Sequence, residues 1–242
     1  MRVDVFLVEN GYCKSRQFAK GLILDNRLLI NHMVCNKPSY NVKPTDSIQI
    51  VGNEPKYVGR GGLKLETAIK SFNIALKGNV CIDIGASTGG FTDCMLQNGA
   101  SKVYALDVGH DQLDSTLLKD SRVINLEKTN IRDVELSIFN GDSIDFISVD
   151  VSFISLKLVL PKVYELLKPL GSAITLIKPQ FEAGKNNLNK NGIVKSEKVR
   201  QNVVNDVQAF AQSLGFTILG VCQSAITGSK GNVEYLMYVI KR

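Results

Sequence analysis

The chain of 242 residues is expected to fold as an α/β protein: a mostly parallel sheet covered by helices on both faces, preceded by a small α+β module. Three observations predict this. From residue 63 onward, short apolar runs alternate with helical segments, the pattern of a parallel sheet buried on both faces. The first 55 residues keep a different rhythm, two short helices followed by short strands. Charge divides the same way, because residues 1–70 hold eleven Lys/Arg against six Asp/Glu, a net +5 of the chain's +6. We therefore read residues 1–55 as a small basic domain, 56–62 as a linker and 63–242 as the main domain.

Composition narrows the function classes. No apolar run approaches the roughly 18–20 residues a membrane span needs. The N-terminus, "MRVDVFLVENGYCKSRQ", carries acids and a glycine where a signal peptide needs an unbroken apolar core, so a cytoplasmic protein is expected. Five scattered cysteines, never spaced CxxC, and only two histidines argue against disulfides, zinc or any other metal centre. The basic N-terminal module points to a polyanionic partner, or to a solvated surface that happens to be basic.

The elements follow in order. "VDVFLVEN" is a short helix stopped by Gly11. Ser15 can cap a second helix, "SRQFAKGLILDNR", whose Phe18, Leu22 and Ile23 recur at helical spacing. Lys14 and Arg16 flank that cap, where free backbone N–H groups and positive side chains suit a phosphate. "LLINHMV", a turn rich in Asn, Lys and Pro, and the strand "DSIQIV" complete the module. "GNEPKYVGRGG" is linker and loop, and "LKLETAIKSF" the first helix of the main domain. "NVCIDIGA" is a strand, "GGFTDCMLQNG" a helix, and "KVYALDVG" and "DFISVDVSF" further strands. "LKLVLPKVYELLKP" reads as a helix, "AITLIKP" as a strand and "EKVRQNVVNDVQAFAQSLG" as a long amphipathic helix. "FTILGVCQS" and "EYLMYVIKR" close the chain as an antiparallel edge.

The most informative run is "CIDIGASTGGFTD". An apolar strand ends at Asp83, and Gly85, Ala86, Ser87, Thr88, Gly89 and Gly90 then turn into a helix that begins with Phe91. Such glycines let a ligand approach the backbone at a strand-end crevice. The spacing is neither GxGxxG nor GxxxxGK[ST]. Asp107 and Val108 end the next strand about 20 residues on, where an acid can hold both ribose hydroxyls. Asp133 lies beyond the third strand, suited to an adenine amino group or a loop hydrogen bond. Three strand-end acids around one glycine loop favour S-adenosylmethionine over NAD or a purely structural turn.

The acceptor is narrowed by what is missing. There is no Asp/Asn-Pro-Pro-aromatic run of base amino-methylases at "Asp150-Val151-Ser152-Phe153", and no nucleophilic cysteine near Asp150 or Lys178. Charges stand instead at costly places: Lys178 at the mouth of the apolar strand in "TLIKPQFEAG", Asp150 at the preceding strand end, Lys64 in "GRGGLKLE" and Glu234 opening the last strand. Each alone could be an ordinary ion pair. The polar, basic loop "FEAGKNNLNKNGIVKSEKVR" could close over RNA or cofactor, or be a passive surface.

Two resemblances gather these motifs. "GYCKSRQFAKGLI" and "NRLLINHMVCNKPSYNVKPTDSIQI" resemble the small RNA-binding domain named after ribosomal small-subunit protein S-four. That likeness implies RNA contacts at Arg2, Lys14, Arg16, Lys20 and Arg27, and Arg60 in the linker is a further RNA-binding candidate. "YVGRGGLKLE", "DIGASTGGFTD", "VYALDVGHDQL", "LEKTNIRD", "SVDVSFISL", "LIKPQFEAG" and "KGNVEYL", in that order, resemble the TlyA family of ribosomal-RNA 2′-O-methyltransferases. Some members of that family are labelled haemolysins, and its catalytic domain is like that of the heat-shock methylase FtsJ. The resemblance implies a Rossmann-like S-adenosylmethionine-dependent sheet acting on ribosomal RNA or ribosomal subunits, commonly at a cytidine. It assigns a catalytic tetrad to Lys64, Asp150, Lys178 and Glu234. Lys178 would be the general base with Lys64 as its cationic neighbour, while Asp150 and Glu234 orient the reacting groups. A non-catalytic ribosome-assembly factor and a membrane-active haemolysin are the alternatives.

Overall fold

A computed structural model describes every residue except Lys14, Ser15, Asn53, Glu54, Ser229 and the side chain of Gln17. The chain divides into two compact units, Met1–Arg60 and Gly61–Arg242.

In the first unit, helices α1 (Val3–Glu9) and α2 (Arg16–Leu24) pack together over strands β1 (Leu28–Ile30), β2 (Met33–Val34) and β3 (Ile48–Ile50). The strands form an antiparallel sheet in the order β2-β1-β3. Asn31 and His32 take positive φ, which closes the β1–β2 hairpin over the two-residue turn their neighbours leave open. Val3, Leu7, Ala19, Ile23 and Leu28, each without measurable exposure, are the core. The proposed Ser15 cap lies outside the described residues.

The second unit is built on a seven-stranded sheet. Its elements are α3 (Gly62–Phe72), β4 (Val80–Ile84), α4 (Gly90–Gln97), β5 (Lys102–Leu106), α5 (Ser115–Leu118), β6 (Val123–Leu126) and β7 (Ile144–Val149). They continue with α6 (Leu160–Leu166), β8 (Leu167–Ile177), α7 (Pro179–Glu182), α8 (Glu197–Ser213), β9 (Phe216–Gln223) and β10 (Tyr235–Lys241). The strand order is β6-β5-β4-β7-β8-β10-β9. Strands β6, β5, β4, β7 and β8 run parallel, and β10 is antiparallel to both its neighbours. The chain reverses its direction of strand addition at β4, so crevices open at the carboxyl ends of β4, β5 and β7.

Strand periodicity explains what faces what. Ile82, Ile84, Ile147, Val149, Met237 and Val239 point to the face covered by α6 and α8, in one continuous apolar cluster. The alternate residues, Asp83 and Ser148 among them, point to the other face, where α3 and α4 lie together.

One element differs from expectation. The helix read over residues 156–169 is a 3₁₀ turn at Leu156–Leu158 followed by α6, which ends at Leu166. Pro161 lacks an N–H and is tolerated only in a first turn, so a new helix starts just before it. Leu167 already pairs with Ile144, and the next paired residue is Ser172, so "KPLG" bulges out of β8. Among the described residues no helix is long and apolar enough to cross a membrane.

Candidate active site

The carboxyl ends of β7 and β8 bring charge together at the edge of an apolar sheet. Lys178 follows β8 and precedes Pro179, the first residue of α7. It is 8% exposed, and its Nζ lies 2.6 Å from Asp150 Oδ1 and donates to Ser152 Oγ at 2.9 Å. The Asp150 contact is an ion pair without hydrogen-bond alignment, so that buried oxygen keeps an unused acceptor direction. Lys64 stands in the first turn of α3, 7% exposed, with its Nζ 2.7 Å from Glu234 Oε2. Glu234 is 2% exposed, and its other oxygen accepts from Gln180 Nε2 at 3.1 Å. A Cβ on Gly228 would sit 2.5 Å from that oxygen, so glycine there leaves room for the carboxylate. Register explains the convergence. Tyr235 pairs with Ile177, so Glu234 emerges beside Lys178 on the neighbouring strand.

Two buried lysines thus form two separate ion pairs, one with the buried Glu234 and one with the partly exposed Asp150. Burial without such pairing would cost several kcal/mol per charge. Each lysine of the expected tetrad has its own carboxylate. Glu234 neutralises Lys64 at hydrogen-bond distance, while Lys178 has its own carboxylate.

The glycine loop forms the second half of the site. Gly85, at φ +85°, packs directly under the backbone of Asp150, and Ser87 takes φ +49°. Asp107 Oδ2 accepts from Ser87 N at 2.8 Å and Oδ1 from Gly109 N at 2.7 Å, joining the loop to the end of β5. Glu127 accepts from the N–H groups of Asp111 and Gln112, at 2.8 and 3.2 Å, which hold its carboxylate below the usual range. Gln112 in turn accepts from Ser87 Oγ at 3.3 Å. Gly89, at φ +93°, precedes the N-terminus of α4, where the amides of Gly90 and Phe91 have no intrahelical acceptor. An acid at the end of β5, a glycine turn at the reversal point and free helix-start amides together fit a ribose-bearing cofactor. Ala86 and Phe91 are buried, Thr88 is half-buried and Val108 is 71% exposed.

Asp83 must be corrected. Its carboxylate has no exposure and accepts from Thr92 Oγ1 at 2.7 Å and Ser148 Oγ at 2.9 Å. It lies beneath the loop and fastens α4 to β7, so it positions the site rather than facing a ligand. Burial pushes its pKa from 3.8 to about 6 against the pull of those hydrogen bonds. A carboxylate raised in the folded state stabilises the fold below its unfolded pKa and loses that contribution as pH rises through the folded one. The stability of wild type is therefore expected to fall relative to Asp83→Asn between about pH 4 and 6, by roughly 3 kcal/mol in all. Urea melts of both proteins at each pH test this, and a pH-independent difference would refute the burial of a titrating carboxylate. Asp133 sits exposed on a 3₁₀ turn, Ile131–Asp133.

The basic residues of the first unit are more tied down than expected. Arg2 and Arg16 are 3.0 and 3.1 Å from Asp4, which has no exposure. Burial raises the pKa of Asp4, but the two guanidiniums overrule it and hold the carboxyl below its ordinary range. Arg27 donates to Val51 O at 3.0 Å, and Arg60 pairs with Asp25 at 3.8 Å. Lys20 is exposed. Lys14 lies outside the described residues.

Sequence reasoning missed Ser152, Gln180, Gly228, Glu127 and Phe153. Phe153 is 91% exposed, takes φ +63° and has its ring 5.0 Å from that of Phe181. Lys178 Nζ lies 5.8 Å from the Phe181 ring. A bulky residue at positive φ is strained, which marks it as a candidate for function. The signal available in the sequence was its place three residues after Asp150.

Comparison with known proteins adds kinship to this geometry. Residues 57–241 match the FtsJ-like methyltransferase family, and residues 1–48 match the S4 domain. The chain is 42% identical over 240 residues to Hemolysin A of Brachyspira hyodysenteriae, covering 99% of this chain and 100% of that one. It is 40% identical over 239 residues to the 16S/23S rRNA (cytidine-2′-O)-methyltransferase TlyA of Mycobacterium tuberculosis, covering 98% and 89%. A solved structure named as a hemolysin from Streptococcus thermophilus superposes with a TM-score of 0.81 at 42% identity, covering 100% and 88%.

Proposed function

The chain belongs to the FtsJ-like methyltransferase family, on its TlyA branch, and we propose that it methylates a cytidine ribose 2′-oxygen of ribosomal RNA with S-adenosylmethionine. The observation that carries this reading is the two ion pairs of buried lysines, Lys178–Asp150 and Lys64–Glu234, at the strand mouths beside the glycine loop. Gly85 to Phe91, Asp107 and the backbone after Asp150 would hold the cofactor, which when bound supplies an electrophilic sulfonium methyl group.

The residues of the chain do the rest. A ribose hydroxyl is a poor nucleophile until its proton leaves. Lys178 takes that proton at Nζ as general base, and the ammonium so formed is stabilised by Asp150 at 2.6 Å. Ser152 fixes the direction of Nζ, and the unused acceptor direction of Asp150 Oδ1 suits a hydroxyl donor. Glu234, held by Lys64 and Gln180, keeps a fixed carboxylate on the next strand. Holding the reacting atoms in line supplies much of the remaining acceleration.

A ribose inside a helix is reached only when its nucleotide is turned out of the stack. Phe153 offers the exposed aromatic face on which such a base would lie, a contact worth about 1–3 kcal/mol. Phe153→Ala is expected to lower kcat/KM for RNA about tenfold to a hundredfold, with Phe153→Tyr restoring it and cofactor affinity unchanged. The first unit adds RNA affinity through its basic surface, and the enzyme works in the cytoplasm, where ribosomal subunits are.

The test is transfer of labelled methyl groups from S-adenosylmethionine to unmodified 50S and 30S subunits supplied separately. Label at an alkali-resistant linkage in RNA supports ribose methylation and names the subunit. Cofactor binding without label in either subunit or in naked RNA would replace this reading with a non-catalytic assembly factor.

A further inference from the structure

Beyond the catalytic residues, the second unit carries an open, shallow basic groove of about 800 Å³ lined by Lys185, Lys190 and Lys230 with Asn189, Asn191, Gly192 and the apolar Leu188 and Ile193. We infer that this groove tracks the phosphates of the RNA strand that carries the target nucleotide. The inference rests on the reading that the substrate is RNA, and it places part of the binding energy on the methyl-transfer unit itself.

Three observations carry it. The lining contains no Asp or Glu, and among the described residues none of the three ammonium groups has a carboxylate within ion-pair distance. Unpaired cations gathered in a concave surface are the electrostatic footprint of a polyanion site, and amide side chains between them donate to phosphate or sugar oxygens. Next, the groove is built rather than loose. Asn232, 3% exposed, accepts from Val194 N at 3.1 Å and donates to Gly192 O at 3.0 Å, pinning the segment that bears Lys190 to the segment that bears Lys230. Asn189 Oδ1 accepts from the N–H groups of Asn191 and Ile193, both at 2.9 Å, which sets the turn between them. Lastly, the groove is tied to the chemistry through the backbone. Lys185 stands seven residues after Lys178, and Lys230 four residues before Glu234, so the two walls are the chain segments that leave and re-enter the catalytic cluster. Short stretches of chain therefore join the groove to the catalytic cluster on both sides.

The test compares wild type with Lys185→Ala/Lys190→Ala/Lys230→Ala in binding to a single-stranded RNA oligonucleotide and to 50S subunits, each over a series of salt concentrations. A phosphate track predicts that the plot of log affinity against log salt becomes shallower by about two units for the single strand, near 0.7 for each lost contact. At low salt the KM for RNA rises at least tenfold, while the rate at saturating RNA stays within about twofold. Unchanged affinity for S-adenosylhomocysteine shows that the variant is folded. An unchanged salt slope overturns the proposal. So does a loss confined to assembled subunits, because the groove would then face ribosomal protein. Binding is measured without turnover, so the groove is judged separately from the activity. Absence of methyl transfer by wild type would overturn the functional reading and leave the binding result standing.

Discussion

Lys178→Met is expected to lower kcat by about 10²–10⁴, the usual worth of a positioned general base, with affinity for S-adenosylhomocysteine unchanged. Methionine keeps the length of the side chain and removes both the proton acceptor and the positive charge. Loss of activity alone would therefore not separate base catalysis from charge balance, since Asp150 would also lose its partner. Lys178→Arg makes the separation. A guanidinium preserves the charge and can still pair with Asp150, but it stays protonated at any usable pH and cannot accept the hydroxyl proton. The arginine variant is expected to fold as well as wild type and to be as inactive as the methionine variant. Recovery of more than a tenth of the wild-type rate by arginine would sink the base assignment and leave Lys178 as an electrostatic support. Lys64→Met is expected to behave differently. It leaves Glu234 buried without its cation, and the loss should appear first as stability, about 3–5 kcal/mol, rather than as a clean defect in the chemical step.

What the sequence made legible follows from where its physical constraints are local. Apolar runs ending in a charge mark strand mouths, so Asp107, Asp150 and Lys178 stand out before any coordinates exist. The glycine turn after β4 is visible because positive φ is cheap only for glycine. Pairing is not local. Nothing in the order of residues says that Lys64 meets Glu234, 170 positions away, since that contact depends on β10 lying antiparallel beside β8. Asp83 was misread for a related reason. An acid at a strand end looks the same whether it faces a ligand or a buried threonine, and only the alternation of β4 against α4 decides. Asp4, in the first turn of α1, is the buried anchor of two arginines, a role no local pattern announces. Phe153 escaped because exposure of an aromatic residue is a property of the fold, not of the residue.

Gly85→Ala is expected to damage the cofactor site and displace the Asp150 carboxylate in one step. Two costs combine there. Gly85 sits at φ +85°, a region that charges an L-residue about 1–2 kcal/mol. Its missing Cβ also faces backbone: an added methyl would press on the carbonyl oxygen of Asp150, with the carbonyl carbon at 3.0 Å. Backbone cannot rotate away as a side chain can, so the end of β7 must move, and the carboxylate of Asp150 moves with it. Overpacking of this kind typically costs about 1–3 kcal/mol more. Gly78 supplies the control, because its φ of +80° is nearly the same while nothing lies within 4 Å of its would-be Cβ. Gly78→Ala is therefore expected to lose only the conformational part of the stability, with cofactor affinity and kcat intact. Gly85→Ala should lose more stability in urea melts, bind S-adenosylhomocysteine at least tenfold more weakly by calorimetry, and transfer methyl groups more slowly even at saturating cofactor. The slower transfer is the decisive reading, since weaker binding alone would be overcome by saturation. Equal behaviour of the two alanine variants would mean that β7 yields without consequence, and that the carbonyl of Asp150 does not tie the cofactor loop to Lys178.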